Sequence, residues 1–460
     1  MAGVASNCAG ESAEVVVIGA GIVGIATAYF LAVRHGVRRV LLVEPGEPMG
    51  LTSAQSGENY RNWWPHPVMT ALTDDSTTLM EDIARATGNR IRLTRRGYAL
   101  ATRRAQPEGL LAELHAGYGT AAAGRIRVHE RAGGSYRAAE EDWEGAPDGV
   151  DVLLDRGVIG AHFPSFAADV GTVLHIRRAG DLSGQQLGQF MLEAVKEAGG
   201  RVVRGRVEAV EGVAPFVLLV ATADGRARYA AERLVNAAGP FVGAVAAMLG
   251  ETLPVRCVFQ QKIAFEDRAA AVPRAMPFAI DLDGQALPWT AEERAVLEAE
   301  VEGAALLAAM PGGVHCRPEG GSGGKWVKLG WAYNRMESAP EATPLDGSFP
   351  EIVVRGASRL QPALAAYVGQ LPRGARHYGG HYVMTDENWP LIGPMRNAGA
   401  FVAGAMSGFG TMSAAGAGAL CAAWVRGGEL PGYAGALSLE RYRDADLMGE
   451  LTRLGRTGSL

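Results

Sequence analysis

Residues 14–44 constrain the fold of this chain more than any other stretch. A short apolar run is followed by Gly19, Gly21 and Gly24 in G-x-G-x-x-G spacing, then by a helix-like segment, a second apolar run and the acid Glu44. This order of strand, tight turn, helix and strand predicts a βαβ unit of a parallel sheet. Gly19 would turn the chain out of the strand, Gly21 would admit a pyrophosphate to the backbone, and Gly24 would let the helix pack closely.

Glu44 narrows the choice of dinucleotide that this unit could bind. It lies about twenty residues after Gly24, where an acid accepts hydrogen bonds from a ribose diol. The helix N-terminus would face the pyrophosphate with unpaired N–H groups. The stretch therefore predicts a dinucleotide with a free 2′-hydroxyl, FAD or NAD rather than NADP.

Composition excludes several other classes. A chain of 460 residues has room for two or three domains, and a net charge of −5 without a long basic run argues against nucleic-acid binding. The four cysteines are widely spaced, which predicts neither a metal site nor a disulfide framework and fits a reducing cytoplasm; they are Cys8, Cys257, Cys316 and Cys421. The apolar stretch at 14–33 has no preceding positive charge, so we expect no signal or membrane segment.

The segment after Glu44 is rich in Gly, Ser, Thr and Pro and predicts a loop beside the nucleotide. Its polar groups are candidates for binding phosphate or the edge of a flavin ring: Thr52, Ser53, Ser56 and Gly57. A cation and aromatic residues follow, and they suit either a pocket wall or ordinary packing: Arg61, Trp63, Trp64 and His66.

Later segments repeat the pattern of the first one. We expect a helix at 69–87, a strand at 92–102, and a helix at 184–197 capped by Asp181 or Ser183. Residues 400–428 read as strand, glycine-rich turn and a long helix of small residues. That helix would begin near Thr411 and point partial positive charge at a cofactor.

Four stretches together resemble the D-amino-acid oxidase superfamily of FAD-dependent oxidoreductases, on its glycine oxidase and monomeric sarcosine oxidase branch. They are VVVIGAGIVGIATAYFLA…VLLVE, GDLSGQQLGQFMLEAVKEAGGRVVRG, LVNAAGPFVGAVA and HYVMTDENWPLIGP…FVAGAMSGFGTMSAAGAGALCAAW. They run from residue 15 to about 426. The first is common to many nucleotide folds, whereas the AAGP turn and the D-x-x-P-x-I-G-P…SGxG ending are more specific.

The resemblance implies an α/β (overall α+β) protein of two domains. A Rossmann-like FAD-binding domain would be assembled from separated segments at 13–100, 155–245 and 380–440. A substrate domain on a large antiparallel sheet would comprise 101–154 and 246–379. Residues 1–12 would form a disordered tail and 441–460 a helical C-terminal tail.

The resemblance also assigns the cofactor contacts. FAD would lie with its adenosine on Gly19, Gly21, Gly24 and Glu44, its adenine near the backbone of Val207 and its pyrophosphate near Ala238 and Gly239. The flavin pyrimidine edge would meet Gly408, Phe409, Gly410, Thr411 and Met412.

The chain departs from its sarcosine oxidase relatives at several positions. Lys325 falls where those relatives carry the cysteine that tethers FAD, and Cys316 is several residues away, so we expect non-covalent FAD. His66 is the alternative tether. Met412 replaces the family's substrate-binding lysine and Phe409 its histidine, which leaves Arg61 as a candidate carboxylate clamp.

We expect oxidation of a C–N bond in an amino acid or a substituted amine, with oxygen or another electron acceptor, in a monomer or homodimer. The candidate catalytic residues are Lys325, Lys328, Tyr382 and Arg61, although either lysine also suits a solvated sheet position. The candidate substrate pocket is Arg61, Trp63, Trp64, His381 and Phe409, and His377 and His381 also suit structural roles. Two alternatives are a 2-hydroxy-acid dehydrogenase of the same fold and a non-catalytic assembly factor or subunit. An NAD enzyme is disfavoured, because it has no need of the unit at 400–412.

Overall fold

The computed structural model describes residues 11–131, 135–300 and 303–454. Most of the predicted disordered tail at 1–12, including Cys8, lies outside this part of the chain. Glu11 and Ser12 already belong to the first strand, so this strand starts two residues before the predicted boundary. The last six residues of the predicted helical tail also lie outside it.

The strands β1 to β19 are, in chain order, Glu11–Ile18, Val40–Glu44, Asn59–Arg61, Tyr98–Thr102, Ile126–His129, Val150–Leu153, Thr172–Ile176, Ala179–Asp181, Arg201–Arg204, Arg206–Glu211, Phe216–Thr222, Gly225–Asn236, Arg256–Glu266, Phe278–Asp281, Val314–Glu319, Trp326–Gly330, Arg376–Met384, Leu391–Pro394 and Ala400–Gly404.

The helices α1 to α12 are Ile22–Tyr29, Pro67–Ala86, Glu108–Tyr118, Ala122–Arg125, Arg156–His162, Gly184–Glu197, Val242–Met248, Ala291–Ala299, Gly303–Leu307, Phe349–Ser358, Gly410–Arg426 and Ala445–Leu454. A π-helical turn at Phe30–Arg34 continues α1, and a short 3₁₀ helix covers Thr52–Gln55. Within the described ranges, every helix is too short or too polar to cross a bilayer.

The first sheet is built around the predicted βαβ unit. β1 lies between β2 and β12 and is parallel to both, and β9 and β19 extend the parallel part. The hairpin of β10 and β11 adds antiparallel strands at the other edge. The side chains of 15–18 and 40–43 are buried on both faces, as the near-continuous apolar runs predict for parallel strands.

A helical layer of α1, α2, α6 and α11 covers one face of this sheet. Small residues allow the closest of these contacts, since a Cβ on Gly418 of α11 would meet the backbone of Ala26 in α1 at 2.6 Å. Ser183 caps α6 by accepting a hydrogen bond from the backbone N–H of Gln186, which confirms one of the two predicted caps. The predicted helix at 69–87 is α2.

The second sheet has nine strands, in the order β17-β13-β16-β15-β14-β4-β7-β6-β5, and most of its neighbours are antiparallel. One face packs on α10 through Cys316, Val327 and Leu329, among others. On β4, β6 and β7 the alternate side chains, among them Leu100, Val152 and Leu174, pack in a separate apolar cluster. On β13, β15 and β16 the alternate side chains include Lys262, Arg317 and Lys328. The mixed architecture confirms the predicted fold class.

Two of the expected boundaries differ from the structure. The segment 155–245 was expected entirely in the first domain, yet β7 lies in the second sheet between β4 and β6. β4, expected at the end of a first-domain segment, also belongs to the second sheet and begins only at Tyr98, because 92–97 lack strand pairing. A strand's sheet depends on its pairing partners, which local sequence does not specify.

Candidate functional site

Three adjoining cavities run from the carboxyl ends of β1 and β2 to the second sheet. The first, the strand-end cavity, has a volume of about 300 Å³. Its lining includes these residues singled out in the sequence: Gly19, Gly21, Glu44, Thr52, Ser53, Val207, Ala238 and Gly239. The crevice outside the carboxyl ends of parallel strands is where α/β folds bind nucleotides.

The glycine turn has the predicted geometry. Gly19 has a φ of +103°, and a Cβ there would overlap the carbonyl oxygen of Ala237. A Cβ on Gly24 would overlap the carbonyl oxygen of Gly19, so this residue sets the close approach of α1 and does not itself line the cavity. Gly21 is the N-cap of α1 and faces Ser53, whose Oγ accepts a hydrogen bond from the backbone N–H of Ile22 at 3.0 Å.

Glu44 is fixed by backbone groups at the end of β2. Its carboxylate accepts hydrogen bonds from the N–H groups of Ala20, at 2.9 Å, and Gly46, at 3.0 Å. These contacts hold the side chain of Glu44 at the cavity wall.

The second, the central cavity, has a volume of about 120 Å³ and shares Gly21, Thr52 and Ser53 with the strand-end cavity. Its lining adds Ser56, Gly57, His381, Tyr382, Gly408, Gly410 and Thr411. The hydroxyls of Ser56 and Thr411 are 2.7 Å apart and tie the loop after β2 to the start of α11. The N-terminal turn of α11 therefore opens on this cavity with its partial positive charge.

The turn before α11 requires glycine at one position. Gly408 has a φ of +90°, and a Cβ there would overlap the ring of Tyr382. The backbone of this turn therefore lies directly against β17.

The third, the sheet-facing cavity, has a volume of about 100 Å³. Its aromatic and apolar lining comprises Tyr98, Phe278, Ile280, Tyr382, Phe409 and Met412, and its titratable lining comprises Glu58, Lys262, His315, Arg335 and the two tyrosines. Burial is the main reason that the pKa of His315 falls to about 4, so this imidazole is neutral near pH 7. A ligand in this cavity meets an apolar floor with both signs of charge around it.

The combined site fits the FAD that the resemblance implies. Two buried polar atoms on the cavity walls, Thr52 Oγ1 and His381 Nε2, have no hydrogen-bond partner among the described residues. Buried polar atoms normally have partners, so a polar ligand beside them is expected. The glycine cradle, the acid at the end of β2 and the start of α11 lie along one continuous channel.

The two candidate catalytic lysines lie outside these cavities. Lys325 is exposed just before β16, which begins one residue later, and this position does not support its predicted catalytic role. Lys328 is buried and pairs with Glu319 at 2.9 Å and with Glu58 at 3.8 Å. Burial, reinforced by Arg317, lowers its pKa. Lys328 thus stands behind the sheet-facing cavity and does not line it.

Three other candidates lie behind the sheet-facing cavity and do not line any of the three cavities. They are Arg61, Trp63 and Trp64. The guanidinium of Arg61 stacks on Trp64, with its carbon 4.2 Å from the ring centre, and Trp64 meets Phe409 edge-on at 4.9 Å. Trp63 is buried in a separate core cluster with Tyr98. Arg61 is 2% exposed and has no ion pair among the described residues, and its burial lowers its pKa to about 10.

Of the remaining candidates, two line a cavity and three occupy structural positions. Tyr382 lines both the central and the sheet-facing cavity, as predicted, whereas His381 lines only the central one and packs on Phe259. His377 bonds Gln261 through its Nε2 at 2.8 Å and is structural. His66 caps α2 and packs on Trp389, and Cys316 lies in the core on the far face of the second sheet.

The lining residues that the sequence analysis missed include Glu58, Tyr98, Lys262, Phe278, His315 and Arg335. Lys262 had a detectable signal, since it is the one charged residue between Arg256 and Glu266 in an otherwise uncharged strand. The others lie far apart in sequence and have no local pattern.

Comparison with known proteins is consistent with this geometry. A family model described as FAD dependent oxidoreductase (DAO) matches residues 14–424. A search of curated proteins found no match to the sequence.

Three solved structures share the fold. The L-proline dehydrogenase of P. horikoshii has a TM-score of 0.71 at 16% identity, over 95% of this chain and 99% of that chain. The glycine oxidase of Geobacillus kaustophilus has a TM-score of 0.68 at 18% identity, over 94% and 99%. The iminodiacetate oxidase of Chelativorans sp. BNC1 has a TM-score of 0.66 at 18% identity, over 93% and 98%. At these identities the similarity shows the fold alone.

Proposed function

This chain belongs to the DAO family of FAD-dependent oxidoreductases, and on that premise we propose that it oxidises the C–N bond of an amino acid or a substituted amine to an imine. The observation that carries the proposal is the composition of the sheet-facing cavity. It brings one carboxylate, Glu58, and two cations, Lys262 and Arg335, around an aromatic floor. A zwitterionic substrate needs partners of both signs, whereas a 2-hydroxy acid has no ammonium group and needs only the cations.

The proposed roles of the chain's own residues follow from their positions. Lys262 and Arg335 would attract a substrate carboxylate, and Tyr98, Phe278 and Tyr382 would exclude water from its carbon skeleton. Holding the reacting carbon in one orientation accounts for much of the rate enhancement such a site can supply. The chemistry supplied by bound FAD is acceptance of two electrons and a proton, equivalent to a hydride, from the carbon beside the nitrogen.

The predicted cofactor contacts remain part of this proposal. The glycine turn and Glu44 would bind the adenosine end, with Val207 near the adenine and Ala238 and Gly239 near the pyrophosphate. The N-terminal turn of α11 would place its N–H groups where negative charge develops on the ring. Non-covalent binding is supported by the positions of Cys316 in the core and His66 at a helix cap.

The test is an anaerobic screen of the FAD-loaded protein. Glycine, sarcosine, L-proline, iminodiacetate and the two enantiomers of 2-hydroxyglutarate are mixed with it separately, and loss of flavin absorbance is followed. We expect at least one amine to bleach the flavin, and readmission of air then separates an oxidase from a dehydrogenase with another acceptor. Bleaching by the hydroxy acids alone would establish the hydroxy-acid alternative and overturn the proposal.

A further inference from the structure

Glu58 lies in the wall between two cavities. On one side it lines the sheet-facing cavity. On the other it lines a separate outer cavity of about 690 Å³, whose far walls include Asn89, Trp143, Arg317 and Glu319. A single carboxylate therefore has access both to the proposed substrate site and to a polar cavity outside it.

The backbone of Glu58 is held in an unfavourable conformation. Its φ is +59°, in the left-handed region that non-glycine residues rarely adopt. Its backbone N–H donates to Ser56 Oγ at 2.9 Å, its carbonyl accepts from Leu182 N, and its Oε1 accepts from Gly184 N at 2.9 Å. Such strain persists where surrounding contacts fix it, and it is concentrated at functional sites.

Charged groups from four neighbouring strands and a helix terminus surround this carboxylate. Lys328 of β16 is 3.8 Å from Glu58 Oε2. The others are Lys262 of β13, Arg317 and Glu319 of β15, Tyr378 of β17 and the N-terminal turn of α6. The Lys328 cation and the N-terminal turn of α6, which donates a backbone N–H to Glu58 Oε1, hold this carboxylate in place.

We propose that Glu58 accepts the proton that a substrate ammonium must lose before oxidation. This inference rests on the proposed amine oxidation. An ammonium nitrogen has no lone pair to support loss of a hydride from the neighbouring carbon, so it must first become neutral. In this step an N–H bond of the ammonium breaks, the electron pair stays on nitrogen, and the proton bonds to a carboxylate oxygen of Glu58. Release of the same proton to water in the outer cavity restores the carboxylate.

Lys328 and Glu319 are positioning residues in this scheme. Lys328 bridges the two carboxylates, at 3.8 Å from Glu58 and 2.9 Å from Glu319. This pairing fixes the Glu58 side chain at the cavity wall. Loss of the Lys328 cation would leave the Glu58 carboxylate less well placed to receive the substrate proton.

The test measures the rate constant of anaerobic flavin bleaching from about pH 6 to pH 10, with the fastest amine of the screen. Wild type, Glu58→Gln, Glu58→Asp, Lys328→Met and a control, Glu141→Gln, are compared. Glu141 lines only the outer cavity and pairs with Arg96 at 3.8 Å. A thermal melt of each holo-protein verifies folding.

We expect Glu58→Gln to lower the rate constant about 100-fold near pH 7, the usual size of a general-base effect. The deficit should shrink toward pH 10, where the free amine is already neutral, and Glu58→Asp should recover part of the rate. Lys328→Met should show a smaller deficit with the same pH dependence as Glu58→Gln, and Glu141→Gln should match wild type.

A deficit of equal size at every pH would show a merely structural role and overturn the inference, as would a Glu58→Gln rate within about twofold of wild type. If Glu58→Gln does not fold, a Lys328→Met rate constant equal to that of wild type near pH 7 overturns it instead. Bleaching of wild type by no amine would overturn the proposed function and this inference together, whereas the other outcomes leave amine oxidation standing.

Discussion

The Nζ atom of Lys262 lies 5.4 Å from the centre of the Tyr382 ring, on the neighbouring strand of the second sheet. Both side chains line the central and the sheet-facing cavity. A cation over the face of an aromatic ring is attracted by the ring electrons. Lys262, which the sequence analysis overlooked, is therefore a better candidate for the active-site lysine than Lys325.

Replacing Lys262 with Met should weaken the binding of a carboxylate substrate. A hydrogen bond to a charged group is worth about 1.5–3 kcal/mol, so we expect KM to rise about 10-fold or more. Steady-state kinetics with the preferred amine measure this change in KM. Lys325→Met is the matched control, because Lys325 is exposed and outside the cavities. Equal effects of the two substitutions would contradict the assignment.

Replacing Gly408 with Ala should impair FAD binding and lower stability. The alanine would have to keep a φ of +90°, and its Cβ would overlap the Tyr382 ring. A strained φ alone costs about 1–3 kcal/mol. Flavin content after gel filtration and the melting temperature report the effect. Gly374→Ala is the control, since a Cβ there meets no atom within 4 Å. A stable Gly408→Ala protein with a full content of bound FAD would refute the packing argument.

Replacing Glu44 with Ala should raise the FAD dissociation constant about 10-fold or more, because a carboxylate fixed by Ala20 N and Gly46 N would be lost from the nucleotide wall. Quenching of FAD fluorescence during reconstitution measures the change. Glu232→Ala removes an exposed carboxylate paired with Arg39 and should leave affinity unaltered. Unchanged affinity in Glu44→Ala would rule out the ribose contact.

Acid denaturation should release the flavin into the supernatant. The cysteine of the sarcosine oxidase pattern is absent at 325, Cys316 is buried in the core, and His66 is engaged at the cap of α2. Precipitation of the holo-protein with trichloroacetic acid followed by absorbance of both fractions tests this. Yellow colour retained on the washed pellet would demonstrate a covalent bond.

The free energy of unfolding should decrease as the pH drops below about 6.5, because of His175. Burial is the main reason that the pKa of this imidazole drops from 6.5 to about 3, and its side chain is fully buried. The unfolded chain then binds a proton that the folded protein does not, so this contribution is present above pH 6.5 and is lost as the pH falls toward 3. Between about pH 7.5 and 5 the loss is about 2 kcal/mol.

Urea unfolding of the holo-protein at several pH values measures how the free energy of unfolding depends on pH. His175→Gln removes the titrating group, so the variant should be less stable at pH 7.5 but should lose less stability on acidification. Parallel pH profiles for the two proteins would show that His175 does not contribute to the acid sensitivity.

Features with a local cause were predictable. The glycine turn, the cap at Ser183 and the turn at Gly408 each depend on a backbone conformation or contact within a few residues. The assignment of Tyr382 to the site came from the family pattern and agrees with its position in the cavities.

Features that depend on pairing between distant strands were not predictable. Lys325 and Lys328 were candidates because a strand over 325–330 could turn one of them toward the flavin. The start of β16 leaves the first exposed, and the second pairs with Glu58 and Glu319. Arg61, Trp63 and Trp64 follow the cofactor loop in sequence, yet β3 pairs with β8 and directs them into the wall behind the cavity.

The sequence by itself determined the nucleotide-binding end of this protein, because a βαβ turn is built from contacts within about thirty consecutive residues. Only the tertiary structure decided the reacting end. Glu58, Lys262, His315 and Arg335 come from a loop, two strands of the second sheet and a later loop, and they meet because of strand register. Register is set by the burial of whole faces, and that information is spread over the entire chain.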